Sequence, residues 1–294
     1  MMQRLFSAHQ AEAGFGFDSS SCMVLPKGVK CGLYAFFSET MDPKDFVELS
    51  CANCIEGAGL DIDFSFAFQP IVDTKTRTVF SHEALVRGPQ NQPAYTVLDR
   101  LTDRTRYRFD QACRVKIVKM AAELELPVNV NINFYPNAVY KPELCIRTTL
   151  AAAAKYGFPT ERIIFEVTEG EEITDHAHLL GIIHEYRRLG FPTAIDDFGA
   201  GYAGLNLLSE FQPDYIKLDM KLVRGIDVNR PRQAIVRGIV QVCEELSIKI
   251  IAEGVETAEE YGWLRDSGIS LFQGYHFAKP GFECLPEVPQ HAYL

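Results

Sequence analysis

Thr193-Ala-Ile-Asp-Asp-Phe-Gly-Ala-Gly-Tyr-Ala-Gly-Leu205 is a short apolar run that ends in two adjacent carboxylates and then opens into a loop with three glycines. Neighbouring side chains on a strand point to opposite faces. Asp196 and Asp197 can therefore converge on one target only where the strand loses its regularity. Adjacent acids repel each other, so a cation, a basic side chain or solvent must hold them. The rest of the chain points to a cation.

Outward from this run, strand-like segments occur at 64–72, 79–86, 128–134, 163–167, 191–197, 215–218, 249–255 and 270–277. Helical periodicity fills most of the gaps, at 109–124, 142–156, 175–189, 231–246 and 257–266. Alternation of about eight strands with helices predicts an α/β fold, a (β/α)8 barrel. The first two strands are joined only by Asp73-Thr-Lys-Thr-Arg-Thr78, too short for a crossover helix. The barrel is therefore modified, with an antiparallel first strand. Residues 1–60 show no sustained periodicity, only short apolar pieces at 15–17, 23–25 and 33–37 and a helix start near Asp42-Pro43. The chain divides into a small irregular segment, 1–60, and a barrel with a short tail, 61–294.

The chain has 294 residues, 47% hydrophobic and 23% charged, as an ordinary globular protein does. No apolar run is long enough to span a bilayer, and Met1–Gln10 lacks the apolar core of a secretory signal. A cytoplasmic location without membrane insertion is the expectation. A net charge of −10 argues against a broad basic surface for a nucleic-acid polymer. It leaves room for a small anionic ligand, because bound cations reverse the local sign.

Chemistry in such a barrel sits where strands end and βα loops begin. Those ends carry Glu83, Asn131, Glu166, Asp196 with Asp197, Lys217 with Asp219, Glu253 and Gln273. Asn129, Asn131 and Asn133 share one face of the third strand and need partners inside the barrel. Lys217 and Asp219 share a face too; alone they would read as a structural ion pair. Beside five carboxylates, a metal site is the stronger reading. Oxygen donors without clustered His or thiolate suit Mg²⁺ or Mn²⁺ better than zinc. Enough carboxylates converge for two ions, an arrangement that activates water and stabilises a leaving oxygen in phosphodiester hydrolysis. A lysine among them could orient or deprotonate that water.

Glu83-Ala-Leu85 with Val86-Arg87, Val130-Asn131, Glu166-Val-Thr-Glu169, Asp196-Asp-Phe-Gly-Ala-Gly-Tyr202, Lys217-Leu-Asp219, Ala252-Glu-Gly-Val-Glu256 and Gln273-Gly-Tyr275 together resemble the EAL-domain cyclic-di-GMP phosphodiesterases. The resemblance runs from about Phe64 to Pro280. It implies hydrolysis of cyclic di-GMP to linear pGpG by two Mg²⁺ or Mn²⁺ ions, and a homodimer; Ca²⁺ should inhibit, because it can occupy the carboxylates but prefers a larger, looser shell than Mg²⁺. It also implies that Glu83, Asn131, Glu166 and Asp196 hold one ion, and that Asp196, Asp197 and Glu253 hold the other. Lys217 would contact the nucleophilic water, with Gln273 and Asp219 completing the inner site. Arg87 would bind phosphate, and Gln69 and Leu85 would face the substrate. Glu169 and Glu256 would fix the loop of Gly199, Gly201 and Tyr202. Departures are Ala203 and Gly204, where the family has serines, and Asn133 after the metal asparagine. The altered loop is the one support for an alternative, a weakly catalytic cyclic-di-GMP receptor that signals through residues 1–60.

Of eight cysteines, Cys113, Cys145 and Cys243 read as small buried hydrophobes and Cys284 falls in the tail. Cys22, Cys31, Cys51 and Cys54 lie close together in the N-terminal segment. They read as a structural Zn²⁺ site, with His9 a substitute ligand, as a redox pair at Cys51 and Cys54, or as unligated thiols. A further reading makes 1–60 the interaction element and the barrel its regulated output.

Overall fold

The computed structural model describes residues 60–139, 141–168, 176–200 and 204–294. Predictions that fall elsewhere, including the helix start near Asp42-Pro43, the Cys22, Cys31, Cys51 and Cys54 group with His9, and Glu169, Gly201, Tyr202 and Ala203, lie outside the described residues.

Eight strands close into a barrel: β1 Ser65–Asp73, β2 Thr78–Arg87, β3 Asn129–Asn133, β4 Ile163–Thr168, β5 Thr193–Phe198, β6 Tyr215–Leu218, β7 Lys249–Ala252 and β8 Leu271–Gln273. From β2 to β8 every neighbouring pair is parallel. β1 closes the ring by running antiparallel to both β2 and β8, as the short Asp73–Thr78 connection requires. A two-residue strand, β9 (Gly281–Phe282), adds to the opening half of β1 at Ala67 and Phe68.

Helices cover the outside: α1 Tyr95–Leu98, α2 Asp103–Glu123, α3 Pro142–Tyr156, α4 His176–Arg188, α5 Gly204–Glu210, α6 Met220–Val223, α7 Arg230–Leu246 and α8 Ala258–Asp266. Local chemistry sets their ends. Thr102 caps α2 and Thr257 caps α8, each in a reciprocal capping box with the residue three positions on. Asn229 accepts the Arg232 N–H ahead of Pro231 at the start of α7. Gly157, at φ +70°, ends α3 in the left-handed conformation. Their buried faces pack on the strands through one apolar layer that includes Phe66, Val118, Phe165, Ile183, Ile216 and Leu264. Cys113, Cys145 and Cys243 are buried in this layer and Cys284 is exposed.

Two strands are shorter than their sequence patterns. The 270–277 run stops pairing at Gln273, because a Cβ at Gly274 would overlap the Val255 backbone. The bare glycine allows the chain to turn there, with Val255 N–H on the Gln273 carbonyl at 3.1 Å and His276 N–H on the Val255 carbonyl at 3.0 Å. The 249–255 run ends at Ala252 for the same reason, since its last residues form the other side of this contact. The short helices α1, α5 and α6 and strand β9 carry too few residues to show a period in the sequence.

Candidate active site

Register places the polar strand ends at one height. Gln69 of β1 lies opposite Glu83 of β2, Glu83 opposite Asn131, and Asn133 opposite Glu166. All of these positions share the inward period of their strands, and Gln69, Glu83, Asn131, Glu166, Lys217, Asp219 and Gln273 are buried.

Lys217 occupies the middle. Its Nζ lies 2.7 Å from Glu253 Oε1, 3.0 Å from Glu166 Oε2, 3.0 Å from Asp196 Oδ1 and 3.2 Å from Glu83 Oε2, with 1% of its side chain exposed. Burial alone would strip the proton from this amine, but Asp196, Glu166, Glu253 and Glu83 hold its pKa well above the ordinary lysine value.

The four acids differ in how they are served. Burial would raise Glu83, yet Lys217 and donated bonds from Gln273 and Asn133 outweigh it and hold this carboxylate below its usual range. Gln273 Nε2 donates to Glu83 Oε2 at 2.8 Å and Asn133 Nδ2 to Oε1 at 2.9 Å. Glu166 is fully buried and is pushed up to about 8, first by burial and then by Glu83 and Asp196, against the pull of Lys217. Asn131 Nδ2 donates to its Oε1 at 2.6 Å. Burial also drives Glu253 well above the carboxylate range.

On β5 the expected irregularity is a bulge. Ile195 pairs with Ile216 and the next pair is Phe198 with Leu218, so β5 uses one more residue than β6. Asp197 supplies the turn with φ +53°, a left-handed conformation that Asp tolerates better than most residues. Its N–H donates to Asp196 Oδ1 at 3.0 Å. As a result, single oxygens of Asp196, Asp197 and Glu253 lie within 4.8 Å of one another, as do those of Glu83, Glu166 and Asp196. Asp196 belongs to both groups. Burial, then Asp196 and Asp219, push Asp197 up to about 6.

The remaining predicted residues divide into rim and flank. Asp219 follows β6 and caps α6, accepting the Lys221 N–H at 2.8 Å. Gln69 donates to the Ala278 carbonyl at 3.3 Å and accepts from Gln273 at 3.4 Å. Leu85 and Arg87 are half-buried and, with Asn133 and Tyr135, line a cavity of about 220 Å³ beside the mouth. Arg87 Nη1 donates to its neighbour's carbonyl, Val86, at 2.8 Å. Gly199 has φ +94°, a left-handed conformation that favours glycine, and a Cβ there would sit 2.6 Å from Leu222 Cδ1, so the leucine would have to move. Glu256 is exposed and pairs with Arg224 Nη2 at 2.6 Å, so its carboxylate is engaged on the α6 side of the loop.

Two contributions escape a reading of the sequence. Asn133, placed by its period on the inward face of β3 beside Asn131 but with no partner named there, grips Glu83. Behind β3, Asp110 and Arg114 are buried on α2 and pair at 2.8 Å, and Asp110 Oδ1 accepts the Tyr135 N–H at 3.0 Å just past the strand. Arg114 also donates to the Tyr186 hydroxyl at 2.6 Å. The i,i+4 spacing of Asp110 and Arg114 was the trace of this brace.

The family model for the EAL domain matches residues 58–280. This chain belongs to the EAL domain family. A standalone versatile EAL protein from Vibrio cholerae O395, solved in a c-di-GMP bound form, is 51% identical with a TM-score of 0.78 over 80% of this chain and 100% of that one. BlrP1 of Klebsiella pneumoniae, solved as a manganese/cy-diGMP complex, is 38% identical with a TM-score of 0.72, covering 79% of this chain and 59% of that one. Of curated proteins, the blue light- and temperature-regulated antirepressor BluF of Escherichia coli K12 is 36% identical over 228 residues, 77% of this chain and 57% of its own. The probable cyclic di-GMP phosphodiesterase PdeG of the same organism is 28% identical, over 83% of this chain and 48% of its own. The chain spans about half the length of these curated relatives. No helix among the described residues is long and apolar enough to cross a membrane.

The donor set of this EAL domain fits hard divalent cations: every group at the two acid clusters offers oxygen. The buried Oδ1 of Asn131 and Oε1 of Gln273 have no hydrogen-bond partner, which leaves two further acceptors at the same mouth.

Proposed function

We propose that this chain is a phosphodiesterase that hydrolyses cyclic di-GMP to linear pGpG. The observation that carries the reading is the pair of carboxylate clusters sharing Asp196 around one buried lysine, at the mouth of an EAL barrel. A relative named as a probable cyclic di-GMP phosphodiesterase, and two others solved with that nucleotide bound, support it.

Glu83, Asn131, Glu166 and Asp196 would hold one Mg²⁺ or Mn²⁺, and Asp196, Asp197 and Glu253 the other. When bound, such a pair supplies an acidified water and stabilises the leaving oxygen. The chain's own part is positional. Lys217, held among its acids at 2.7 to 3.2 Å, is placed to contact the attacking water and orient it by hydrogen bonding. Asp219 is fixed by its cap bond to Lys221 and borders Asp197. Gln273 and Asn133 fix both oxygens of Glu83, which keeps that carboxylate from rotating. Arg87 at the end of β2 would pair with a substrate phosphate, while Gln69 and Leu85 would face the nucleotide. A homodimer completes the proposal, by resemblance to the family.

Purified protein incubated with cyclic di-GMP and either Mg²⁺ or Mn²⁺ should release pGpG, resolved by chromatography. Absence of product with both ions would refute the assignment.

A further inference from the structure

Lys217 is in contact with members of both acid clusters at once. Glu83, Glu166 and Asp196 form the first, Asp196, Asp197 and Glu253 the second, and the ammonium touches one oxygen of Glu83, Glu166, Asp196 and Glu253. Among the described residues, every salt bridge of these four acids is made to this one lysine. Grouping buried carboxylates without a cation is costly, and removing the one partner of a buried charge is costlier than removing the pair. A cation of fixed position at the seam lets the cluster exist before any ion enters. The same position sets a conflict. An ion entering either cluster must share Asp196 Oδ1 and its neighbours with Nζ, or push the ammonium aside.

We infer that Lys217 is a built-in counter-ion: it keeps the acid cluster assembled in the metal-free chain and competes with divalent cations for the same oxygens. This rests on the two-ion reading above and adds to it a second role for the lysine, distinct from orienting water. Loading with ions then becomes an exchange of one held cation for others. The lysine swings from bridging four acids to fewer, which frees its N–H groups for the water.

The test compares melting of the wild-type chain and Lys217→Met, each in EDTA and in saturating Mn²⁺, with calorimetry of Mn²⁺ binding alongside. Methionine keeps the length of the stem and removes the charge. Metal-free Lys217→Met should melt roughly 10 °C below wild type, as expected for a broken buried ion pair in a chain of this size. Mn²⁺ should recover most of that loss, so its stabilising shift is larger in the variant than in wild type. Equal metal-free melting, or a Mn²⁺ shift no larger than that of wild type, would overturn the inference. If Lys217→Met does not fold without metal, Lys217→Met/Glu83→Gln removes the acid held ionised together with the cation and should restore a metal-free transition. A double variant that also fails to fold overturns it. A wild-type melt and heat unmoved by Mn²⁺ would instead bring down the two-ion reading itself.

Discussion

On four strands of the barrel, β1, β6, β7 and β8, the floor and the rim of the lumen lie two residues apart, and their chemistry is opposite. Ile71, Ile251 and Leu271 pack together at the floor with Phe80 and Tyr215 against them. One inward step along the same strands gives Gln69, Glu253, Gln273 and, from Tyr215, Lys217. Phe80 joins the floor because it is the extra residue of a bulge, between the pairs Ile71–Ser81 and Val72–Val79. Ile71, Ile251 and Leu271 are satisfied by packing alone. The rim is satisfied only if each charge finds its partner, and its acids are spread over the whole range from depressed to strongly raised pKa. Stability is thus built into one level of the lumen and chemistry into the next.

The sharpest way to break this division is at the rim. Glu83→Ala should lower turnover of cyclic di-GMP by on the order of 10³-fold, the scale of losing a group that acts on the reacting water. Its melting temperature should stay within a few degrees of wild type, because Lys217 keeps three other acids. A fall in both would show that the two levels are not separable. Ile251→Ala is the converse. Truncating a fully buried floor residue should cost about 2–5 kcal/mol and lower melting by roughly 5–15 °C, while turnover per folded molecule stays within a few-fold.

A subtler contrast lies in pH. Glu166 ionises near 8 in the folded chain against 4.5 ordinarily, so the unfolded chain loses this proton first. Stability from this group is fully present below about pH 4.5 and drains away as pH rises toward 8. Asp197, held near 6, adds a smaller loss in the same direction because it is only half-buried. Metal-free protein should therefore melt lower at pH 8 than at pH 6, and Glu166→Gln should flatten that slope; a steeper slope in the variant would reverse the assignment. The smallest expected effect is Asn133→Ser, whose shorter side chain releases Glu83 Oε1. Mn²⁺ affinity measured by calorimetry should weaken roughly 5- to 10-fold with little change in melting.

Strand order, the antiparallel opening and the shared height of the acids were legible in the sequence, because period-two patterns and strand ends are local properties. The bulge at Asp196–Asp197 was legible as a requirement: two adjacent acids meet only through a kink. What supplies the kink, the left-handed Asp197, was not. The early stop of β8 was hidden because it depends on how closely Gly274 approaches Val255, a contact between distant segments. The grip of Asn133 on Glu83 was hidden for a related reason. A side chain that departs from a family pattern looks like a loss until its cross-strand partner is known. The brace of Asp110 and Arg114 was half visible as a helical ion pair, but its burial against Tyr186 and Tyr135 is tertiary.

The reversed first strand has a mechanical result. Ser65 opens β1 opposite Arg87, the last residue of β2. A regular (β/α)8 chain would begin at the far side of the lumen, remote from the substrate. Here a load at Ser65 reaches β1 and, through the Ser65–Arg87 pair, the end of β2, so the entry of this barrel is fastened beside the rim where its buried acids gather.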